Sequence, residues 1–280
     1  MSGAKLQDFI VEEHIKNALK EDIGFGDITT DYLVPEGEKI IARLNTRQDG
    51  ILCGIDIFEK VFKVLSDDVK VTKYFKDGDR IKKGDTVAIL EGSAGAILTG
   101  ERTALNYIQR LSGIATETDK YQKAIGNNKA RITDTRKTTP NFRMFEKYAV
   151  SIGGARLHRF NLSDCVMIKD NHIKFAGSLT NAVNIIRKNL SHTHKIEVEC
   201  DTLEQVKEAV SCGSDIIMLD NMDCDLMKQC VEIIGNSAII EASGNVTLEN
   251  IEKIAATGVD VISSSAIVAK AKTLDLALDM

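Results

Sequence analysis

Basic side chains are concentrated between residues 131 and 174, in a chain that is acidic as a whole. The formal net charge of the 280 residues is -5, whereas this segment contains nine Lys and Arg residues and only four Asp and Glu residues. A local cationic cluster in an acidic protein favours small anionic ligands, because a nucleic-acid surface requires a wider basic face. The segment therefore predicts a pocket for anions and no nucleic-acid partner.

The basic residues follow short apolar runs that predict β-strands. Arg136 and Lys137 come soon after the run 131–133, and Lys169 comes directly after the run 165–168. Open α/β sheets and barrels carry their chemistry at the C-terminal ends of strands. A solvated charged face is the usual explanation of a charge run, but it is less favoured for residues that directly follow strands.

The rest of the chain shows a regular alternation of strand and helix patterns. Apolar runs centred on Ile196, Ile216, Ile239 and Val261 are 20, 23 and 22 residues apart, with helical patterns between them. This is typical of parallel strands joined by helices. With the two runs above they make six strands within about 140 residues, fewer than the roughly 250 residues of a full eight-stranded barrel. The pattern predicts an α/β fold with an incomplete, reduced barrel.

The first part of the chain has a different pattern, with short alternating runs around one helical segment between residues 39 and 98. A long helical segment, 101–125, follows it, and Arg102 lies at its beginning. We predict an N-terminal domain of residues 1–115, on which a C-terminal tail, 268–280, could pack back. Residues 116–267 then form the barrel domain that carries the active site.

A non-catalytic alternative comes from the phrase DGDRIKKGDTVAILEG, residues 77–92, which resembles the hairpins of biotinyl and lipoyl carrier modules. Those modules require an exposed lysine at the tip of a hairpin, typically beside methionine. Lys82 and Lys83 precede the turn glycine instead, and no Met-Lys pair occurs in this segment. A scaffold of the same topology is the favoured interpretation, and a carrier or metabolite sensor is the alternative.

The cysteine spacing and hydropathy indicate a cytoplasmic protein without a membrane partner. The six cysteines form no CxxC pair, so we expect reduced thiols rather than disulfides or a zinc site. No run of roughly 18 uncharged apolar residues exists that could span a membrane. Glu12, Glu13 and His14 interrupt any signal-peptide core near the N-terminus.

Each predicted strand ends in polar residues, and parallel strands bring those ends to one rim. Glu199 and Asp220 are hard oxygen ligands that suit Mg²⁺ shared with phosphate oxygens, or ribose hydroxyls. Small residues end the last two strands, where backbone N–H groups before a helix can bind phosphate; these are Ser243, Gly244, Asn245, Ser264 and Ser265.

The cationic residues can enclose more than one anionic group; they are Arg136, Lys137, His158, Arg159, Lys169 and Lys174. Structural hydrogen bonds or salt bridges are the alternative explanation for each of these residues.

The inferred ligands have a terminal phosphate, a metal-bound polyphosphate and a separate part rich in carboxylates. Phosphoribosyl pyrophosphate together with an acidic base fits this description. At these residues the chain resembles the quinolinate phosphoribosyltransferases, also called nicotinate-nucleotide pyrophosphorylases (carboxylating). The matching motifs, in family order, are GDITT, ERTALN, DTRKTTP, EKYAV, GGARLHR, IKDNH, EVEC, LDN, EASGN and DVIS.

The resemblance implies an α/β sandwich domain beside an incomplete barrel. It also implies a cytosolic homodimer, and dimers could associate into larger assemblies. Quinolinate and phosphoribosyl pyrophosphate, with Mg²⁺, would give nicotinate mononucleotide, pyrophosphate and CO₂ for NAD synthesis. A related phosphoribosyltransferase acting on another acidic base is the alternative enzyme. The sequence departs from the family's motifs at three positions, which are Asn141 and Ala155, where the family has glycine, and Ser265, where it often does.

The resemblance also implies roles for individual residues. The quinolinate-binding set is Arg136, His158, Arg159 and Lys169, with Thr135 as a further substrate contact and Lys137 as a substrate-contacting base. Glu199 and Asp220 would contact ribose or Mg²⁺, and they join Lys137 and Lys169 as the catalytic set. The phosphate contacts would be Ser243, Gly244, Asn245, Ser264, Ser265 and Ala266. Arg102 would reach into the partner's site.

Overall fold

The computed structural model describes residues 5–280 and divides the chain into two compact units. The first contains the described residues up to Asp119 together with Thr139–Gly154 and Ala271–Met280. The second contains Lys120–Thr138 and Ala155–Lys270.

Helices and strands follow one another along the whole chain. The first half contains α1 (Asp8–Ile23), α2 (Ile28–Leu33), β1 (Lys39–Thr46), β2 (Gly50–Ile51), α3 (Ile55–Leu65), β3 (Lys70–Lys73), β4 (Arg80–Ile81), β5 (Thr86–Ser93), α4 (Ala94–Ala124), β6 (Arg131–Thr133) and α5 (Arg143–Ile152). The second half contains β7 (Val166–Ile168), α6 (Asp170–Ala176), α7 (Leu179–Asn189), β8 (Ile196–Cys200), α8 (Leu203–Ser211), β9 (Ile216–Asp220), α9 (Cys224–Ile234), β10 (Ile239–Ser243), α10 (Ile251–Ala255), β11 (Val261–Ser263), α11 (Ala266–Ala269) and β12 (Leu276–Asp279).

The first unit is built on an antiparallel sheet with the strand order β12-β1-β5-β3. Its last strand, β12, comes from the C-terminal end of the chain and pairs with β1, with Leu44 opposite Leu278. Helix α3 is amphipathic, and its buried face carries Phe58, Val61 and Phe62, which are fully inaccessible. This face provides a large part of the apolar core of the unit.

Helix α5 was expected in the barrel domain, whereas the structure groups residues 139–154 with the first unit. Two side chains of α5 explain the difference. The Tyr148 hydroxyl donates to the Asp77 carboxylate at 2.7 Å, and the fully buried Glu146 pairs with Arg110 of α4 at 2.8 Å. These two polar contacts join the helix to residues of the first unit.

Helix α4 begins at Ala94, seven residues before the predicted start at Glu101. The expectation that Arg102 opens the helix is therefore wrong, and this exposed residue lies in the third turn. Gly95 and Gly100 obscure the helical pattern in the first turns. Gly100 packs closely against α3, because a β-carbon there would lie 2.9 Å from a methyl group of Leu65.

The second unit contains all six predicted strands, in one parallel sheet with the order β6-β11-β10-β9-β8-β7. The edge strands β6 and β7 do not pair with each other anywhere in residues 5–280, so the sheet is an incomplete barrel. The alternating helices follow the strands, as in other α/β proteins. Because the strands are parallel, their C-terminal ends lie along one edge of the sheet.

Polar side chains cap two of the barrel helices at their N-terminal ends. Thr202 accepts the Gln205 N–H before α8, and Asp223 accepts the N–H groups of Asp225 and Leu226 before α9. Thr247 does not begin a helix. The side chain of Asn250 accepts the Thr247 N–H at 2.8 Å and holds a turn, so α10 starts only at Ile251.

None of the helices within residues 5–280 combines the length and the apolar character needed to cross a membrane. All six cysteines are free thiols, and Cys53, Cys200 and Cys230 are buried. The other three, Cys165, Cys212 and Cys224, are partly exposed.

Candidate active site

A cavity of about 340 Å³ lies at the C-terminal edge of the parallel sheet, within the second unit. Residues from the ends of all six strands contribute to it. The lining residues are Thr135, Arg136, Lys137, His158, Arg159, Met167, Lys169, Glu199, Met218, Asp220, Glu241, Ser243 and Ser263. Both positive and negative side chains therefore line the same cavity.

The structure brings together most of the residues that the sequence singles out. Nine of them line the cavity, from Thr135 to Ser243. The remaining predicted phosphate contacts follow the ends of β10 and β11 without lining it; they are Gly244, Asn245, Ser264, Ser265 and Ala266. Arg102 belongs to the first unit. Lys174, which we expected in the cationic cage, is exposed on α6 and pairs with Asp170 at 3.5 Å.

Arg159 is fixed on the wall of the cavity by its own side-chain contacts. One terminal nitrogen donates to the backbone carbonyl of Cys165 at 2.7 Å, and the other lies 3.6 Å from the sulfur of Met167. Arg136 and Lys137 reach the cavity from the segment after β6, where Thr135 Oγ1 accepts the Lys137 N–H at 3.0 Å. Guanidinium groups in such positions are suited to binding carboxylates through paired hydrogen bonds.

Lys169 lies between β7 and α6, and its ammonium group donates to Oε2 of Glu199 on the neighbouring strand β8. The backbone N–H of Lys169 donates to His172 Nδ1 at 2.9 Å. His172 therefore stabilises the start of α6 and does not line the cavity. Lys169, a predicted ligand of quinolinate, is therefore paired with Glu199, a predicted ligand of Mg²⁺.

Glu199 and Asp220 stand on adjacent strands, and both line the cavity. The Asp220 carboxylate accepts a hydrogen bond from the Asn221 amide at 2.7 Å, which orients it. Two partly exposed carboxylates on adjacent strands are a suitable donor set for Mg²⁺, which is bound in proteins by one or two carboxylates together with water and phosphate oxygens. The residues present therefore fit the predicted ion.

The turn after β10 has a conformation that only a few residues tolerate. Gly244 has φ of 91°, and a β-carbon there would lie 2.2 Å from the Asn221 side chain. Asn245 and Asn221 are both left-handed, with φ of 49° and 53°, and their side chains are hydrogen-bonded at 3.0 Å. Asn141, a departure from the family's glycine, is also left-handed at φ of 61°. The expectation that Ser243, Gly244 and Asn245 directly precede a helix is wrong, because α10 starts six residues after Asn245.

A second polar cluster lies at the base of the cavity. His158 Nε2 is 3.5 Å from one carboxylate oxygen of Glu197 and 3.5 Å from one of Glu241. Burial alone lowers the pKa of His158, but the two carboxylates outweigh it and raise the pKa to about 10. Burial also raises the pKa of Glu197.

Sequence reasoning names Glu197 and Glu241 only as polar residues near strand ends and assigns them no role. Strand periodicity could have found Glu197, because residues two apart on a strand share a face and Glu199 faces the cavity. The same argument relates Glu241 to Ser243. The contributions of Met167, Met218 and Ser263 follow from the packing of neighbouring strands and have no such signal.

Two family models cover nearly the whole chain. Residues 27–112 match the N-terminal domain of quinolinate phosphoribosyl transferase, and residues 114–279 match its C-terminal domain. The chain belongs to the quinolinate phosphoribosyltransferase family. The resemblance seen in the sequence is thereby confirmed, and the match over 27–112 assigns the hairpin region to this family rather than to a carrier module.

Named relatives agree with this assignment over most of their length. The chain is 44% identical to a probable nicotinate-nucleotide pyrophosphorylase [carboxylating] of Synechocystis sp., over 97% of this chain and 92% of the relative. It is 42% identical to the protein of the same name from Bacillus subtilis, over 93% and 90%. The crystal structure of NadC from Streptococcus pyogenes superposes with a TM-score of 0.95 at 39% identity, covering 99% of this chain and 98% of that one. The predicted α/β fold and enzyme class are confirmed.

Proposed function

We propose that this protein transfers the phosphoribosyl group of phosphoribosyl pyrophosphate to quinolinate and releases pyrophosphate and CO₂, which gives nicotinate mononucleotide for NAD synthesis. The single observation that carries the proposal is the division of charge in the cavity. Arg136, Arg159 and Lys169 line the cavity as cations, while Glu199 and Asp220 provide carboxylates on adjacent strands. These are the complements of a dicarboxylate and of a metal-bound pyrophosphate.

The dicarboxylate is the more demanding ligand, because each buried carboxylate requires a partner. Arg136 and Arg159 can each bind one carboxylate through two hydrogen bonds, and Lys169 adds a point charge. Arg159 is already held by the Cys165 carbonyl, so little side-chain entropy remains to be lost on binding. This arrangement favours quinolinate over an aromatic acid with a single carboxylate.

Glu199 and Asp220 are the residues that would hold Mg²⁺, shared with the oxygens of phosphoribosyl pyrophosphate. When bound, the ion would neutralise charge on the departing pyrophosphate. Ser243 lines the cavity opposite Asp220, its partner on the neighbouring strand β9, and would contact the sugar phosphate. The backbone of the turn after it, together with Ser264 and Ser265, would complete that contact.

The chemistry follows from holding the two substrates in line. The ring nitrogen of quinolinate forms a bond with C1 of the ribose as the bond from C1 to pyrophosphate breaks, through a transition state with oxocarbenium character. Lys137 stabilises the negative charge that develops on the leaving group. The pyridinium ring then accepts the electron pair of the adjacent carbon as CO₂ leaves, and that carbon takes up one proton.

A homodimer, in which Arg102 enters the partner's site, is part of the proposal. Its support is an apolar surface on α1 and α2, where Phe9 is 71%, Ile28 70% and Tyr32 85% exposed. Large exposed apolar patches commonly mark protein contacts. A cytoplasmic location agrees with six free cysteines.

Mixing the purified protein with quinolinate, phosphoribosyl pyrophosphate and Mg²⁺ tests the function. We expect nicotinate mononucleotide, pyrophosphate and CO₂ in equal amounts, detected by chromatography and a coupled pyrophosphate assay. A related enzyme for another acidic base would instead release pyrophosphate only when that base is supplied.

A further inference from the structure

Asn221 directly follows β9 and connects the end of that strand to the turn after β10. Its side-chain nitrogen Nδ2 donates to Oδ2 of Asp220 at 2.7 Å, and its side-chain oxygen Oδ1 accepts from Nδ2 of Asn245 at 3.0 Å. Its backbone N–H donates to the carbonyl of Ser243 at 3.0 Å. Asn221 does not line the cavity, yet each of these groups contacts a residue that the proposed function assigns to phosphoribosyl pyrophosphate.

The charge of Asp220 determines the direction of these hydrogen bonds. An ionised carboxylate only accepts, so the part of the Asn221 amide that faces it must be the NH₂ group. The amide oxygen of Asn221 then faces Asn245, which must present its own NH₂ group. The three side chains therefore form one directed chain, from Asn245 through Asn221 to Asp220. Because the chain engages only Oδ2 of Asp220, the lone pairs of Oδ1 remain for an ion or a hydroxyl group.

The far end of this chain is anchored in the turn itself. The backbone carbonyl of Asn245 accepts from Nδ2 of Asn250 at 3.0 Å. The side-chain oxygen of Asn250 accepts the Thr247 N–H at 2.8 Å, and Asn250 directly precedes α10. The position of Asn245 is thus fixed relative to the helix, and the amide of Asn221 transmits that position to the Asp220 carboxylate.

The backbone conformation alone does not require an asparagine at position 221. Asn221 is left-handed, with φ of 53°, and glycine adopts this conformation at least as easily. The close approach of the two turns is instead permitted by Gly244, where a β-carbon would lie 2.8 Å from the backbone nitrogen of Asn221. The side-chain amide is therefore needed for its two hydrogen bonds.

We propose that Asn221 is a positioning residue for phosphoribosyl pyrophosphate. Its amide holds the Asp220 carboxylate in a fixed position relative to the turn 243–245, so the group that would bind Mg²⁺ or ribose and the group that would bind the sugar phosphate form one preorganised site. Preorganisation reduces the entropy that is lost when the ligand binds. This inference deepens the proposed function and rests on it for the identity of the ligand.

NMR of protein labelled with nitrogen-15 asparagine tests the hydrogen bonds without substrate. The side-chain signal of Asn221 is identified by its loss in Asn221→Gly. Asp220→Ala should shift this signal and accelerate exchange of its hydrogens with water by about 10-fold, as expected for loss of a hydrogen bond to a charged group. Asp225→Ala, on the exposed first turn of α9, is the control and should leave the signal in place. An Asn221 signal that Asp220→Ala does not change would overturn the proposal.

Calorimetry separates positioning from a general effect on folding. Asn221→Gly should retain the melting temperature and the affinity for quinolinate, but weaken the binding of Mg²⁺-phosphoribosyl pyrophosphate by about 10-fold. Asn141→Gly makes the same substitution at another left-handed asparagine, with φ of 61°, and should change neither affinity. Equal losses for both substrates in Asn221→Gly would contradict a positioning role.

A double-mutant cycle distinguishes positioning from direct contact with the ligand. If Asn221 acts through Asp220, adding Asn221→Gly to Asp220→Ala should change the affinity for Mg²⁺-phosphoribosyl pyrophosphate by less than about twofold. Lys137→Ala combined with Asp220→Ala is the matched control, and its losses should multiply. Multiplying losses for Asn221→Gly would show that the amide contacts the ligand itself. If the wild-type protein binds no Mg²⁺-phosphoribosyl pyrophosphate, the proposed function fails, whereas the NMR result still decides whether Asn221 holds Asp220.

Discussion

Lys169 and Glu199 are paired inside the cavity, although the proposed reaction assigns them to different substrates. Lys169 would bind a carboxylate of quinolinate, and Glu199 would bind Mg²⁺ with phosphoribosyl pyrophosphate. In the absence of substrates, the Lys169 ammonium group and the Glu199 carboxylate bind each other. Binding of a dicarboxylate to Lys169 therefore makes Glu199 available to the metal.

We predict that the two substrates bind with positive coupling. Phthalate has the two carboxylates of quinolinate but no ring nitrogen, so it can occupy Lys169 without reacting. It should increase the affinity for Mg²⁺-phosphoribosyl pyrophosphate by about 10-fold, within the range usual for coupled sites. Calorimetric titrations with and without phthalate measure this effect.

Lys169→Met should abolish the coupling, because Glu199 is then unpaired in every state. Lys174→Met is the control, since Lys174 is exposed and pairs with Asp170 outside the cavity. Equal affinities of the wild-type protein in the presence and absence of phthalate would contradict the prediction.

Asp220→Asn should weaken the binding of Mg²⁺-phosphoribosyl pyrophosphate more than that of quinolinate. The substitution retains the shape of the side chain and removes the charge that would bind the ion. Calorimetry with each substrate alone measures the two affinities. Asp225→Asn, on the exposed first turn of α9, is the control. Equal losses for both substrates would assign Asp220 a structural role.

Nicotinate should be a very poor substrate compared with quinolinate. It lacks one carboxylate, so one of the cations Arg136 and Arg159 would have no substrate carboxylate to bind. Sites that bind a polar group discriminate against analogues lacking it by roughly 10⁴-fold or more. The ratio of kcat/KM for the two bases measures this, and turnover of nicotinate within tenfold of quinolinate would refute the assignment.

The arrangement of strands was predictable from the sequence, whereas the arrangement of side chains around them was predictable only in part. Six apolar runs at regular spacing predict the six parallel strands, and polar residues after them predict the rim. The pairing of Lys169 with Glu199 could not be predicted, because it depends on which strands are neighbours in the sheet. The start of α4 was missed because Gly95 and Gly100 weaken the helical pattern, although tertiary packing favours helix there.

The buried ion pair of the first unit should be important for stability. Glu146 is fully buried, pairs with Arg110 at 2.8 Å, and accepts the Thr139 N–H at 2.9 Å. Removing one partner of a buried pair typically costs about 3–5 kcal/mol of the free energy of unfolding. Glu146→Ala should lower the urea midpoint accordingly, as followed by circular dichroism.

Glu12→Ala removes an exposed pair with Lys16 in the same unit and should change the urea midpoint little. Similar shifts for the two variants would mean that Arg110 and Glu146 are already solvated in solution.

Arg102 should act in the active site of the partner subunit. It is exposed on α4 and does not line the cavity of the second unit, yet the ERTALN motif in which it lies is among those shared with the family. Arg102→Ala should fold and dimerise normally but lose at least about 100-fold in kcat/KM, a few kcal/mol of transition-state stabilisation. Lys137→Ala, which changes the cavity itself, should also be inactive.

Co-expression of these two inactive variants provides the decisive measurement. Random pairing makes half of the dimers mixed, and each mixed dimer has one site with an intact Lys137 and an intact Arg102 from the other subunit. Activity should therefore return to about a quarter of the wild-type level. Dimers that carry a single variant, prepared in the same way, are the control and should remain inactive. If Arg102 acts within its own chain, no mixed dimer contains a complete site, and the mixture will stay as inactive as its components.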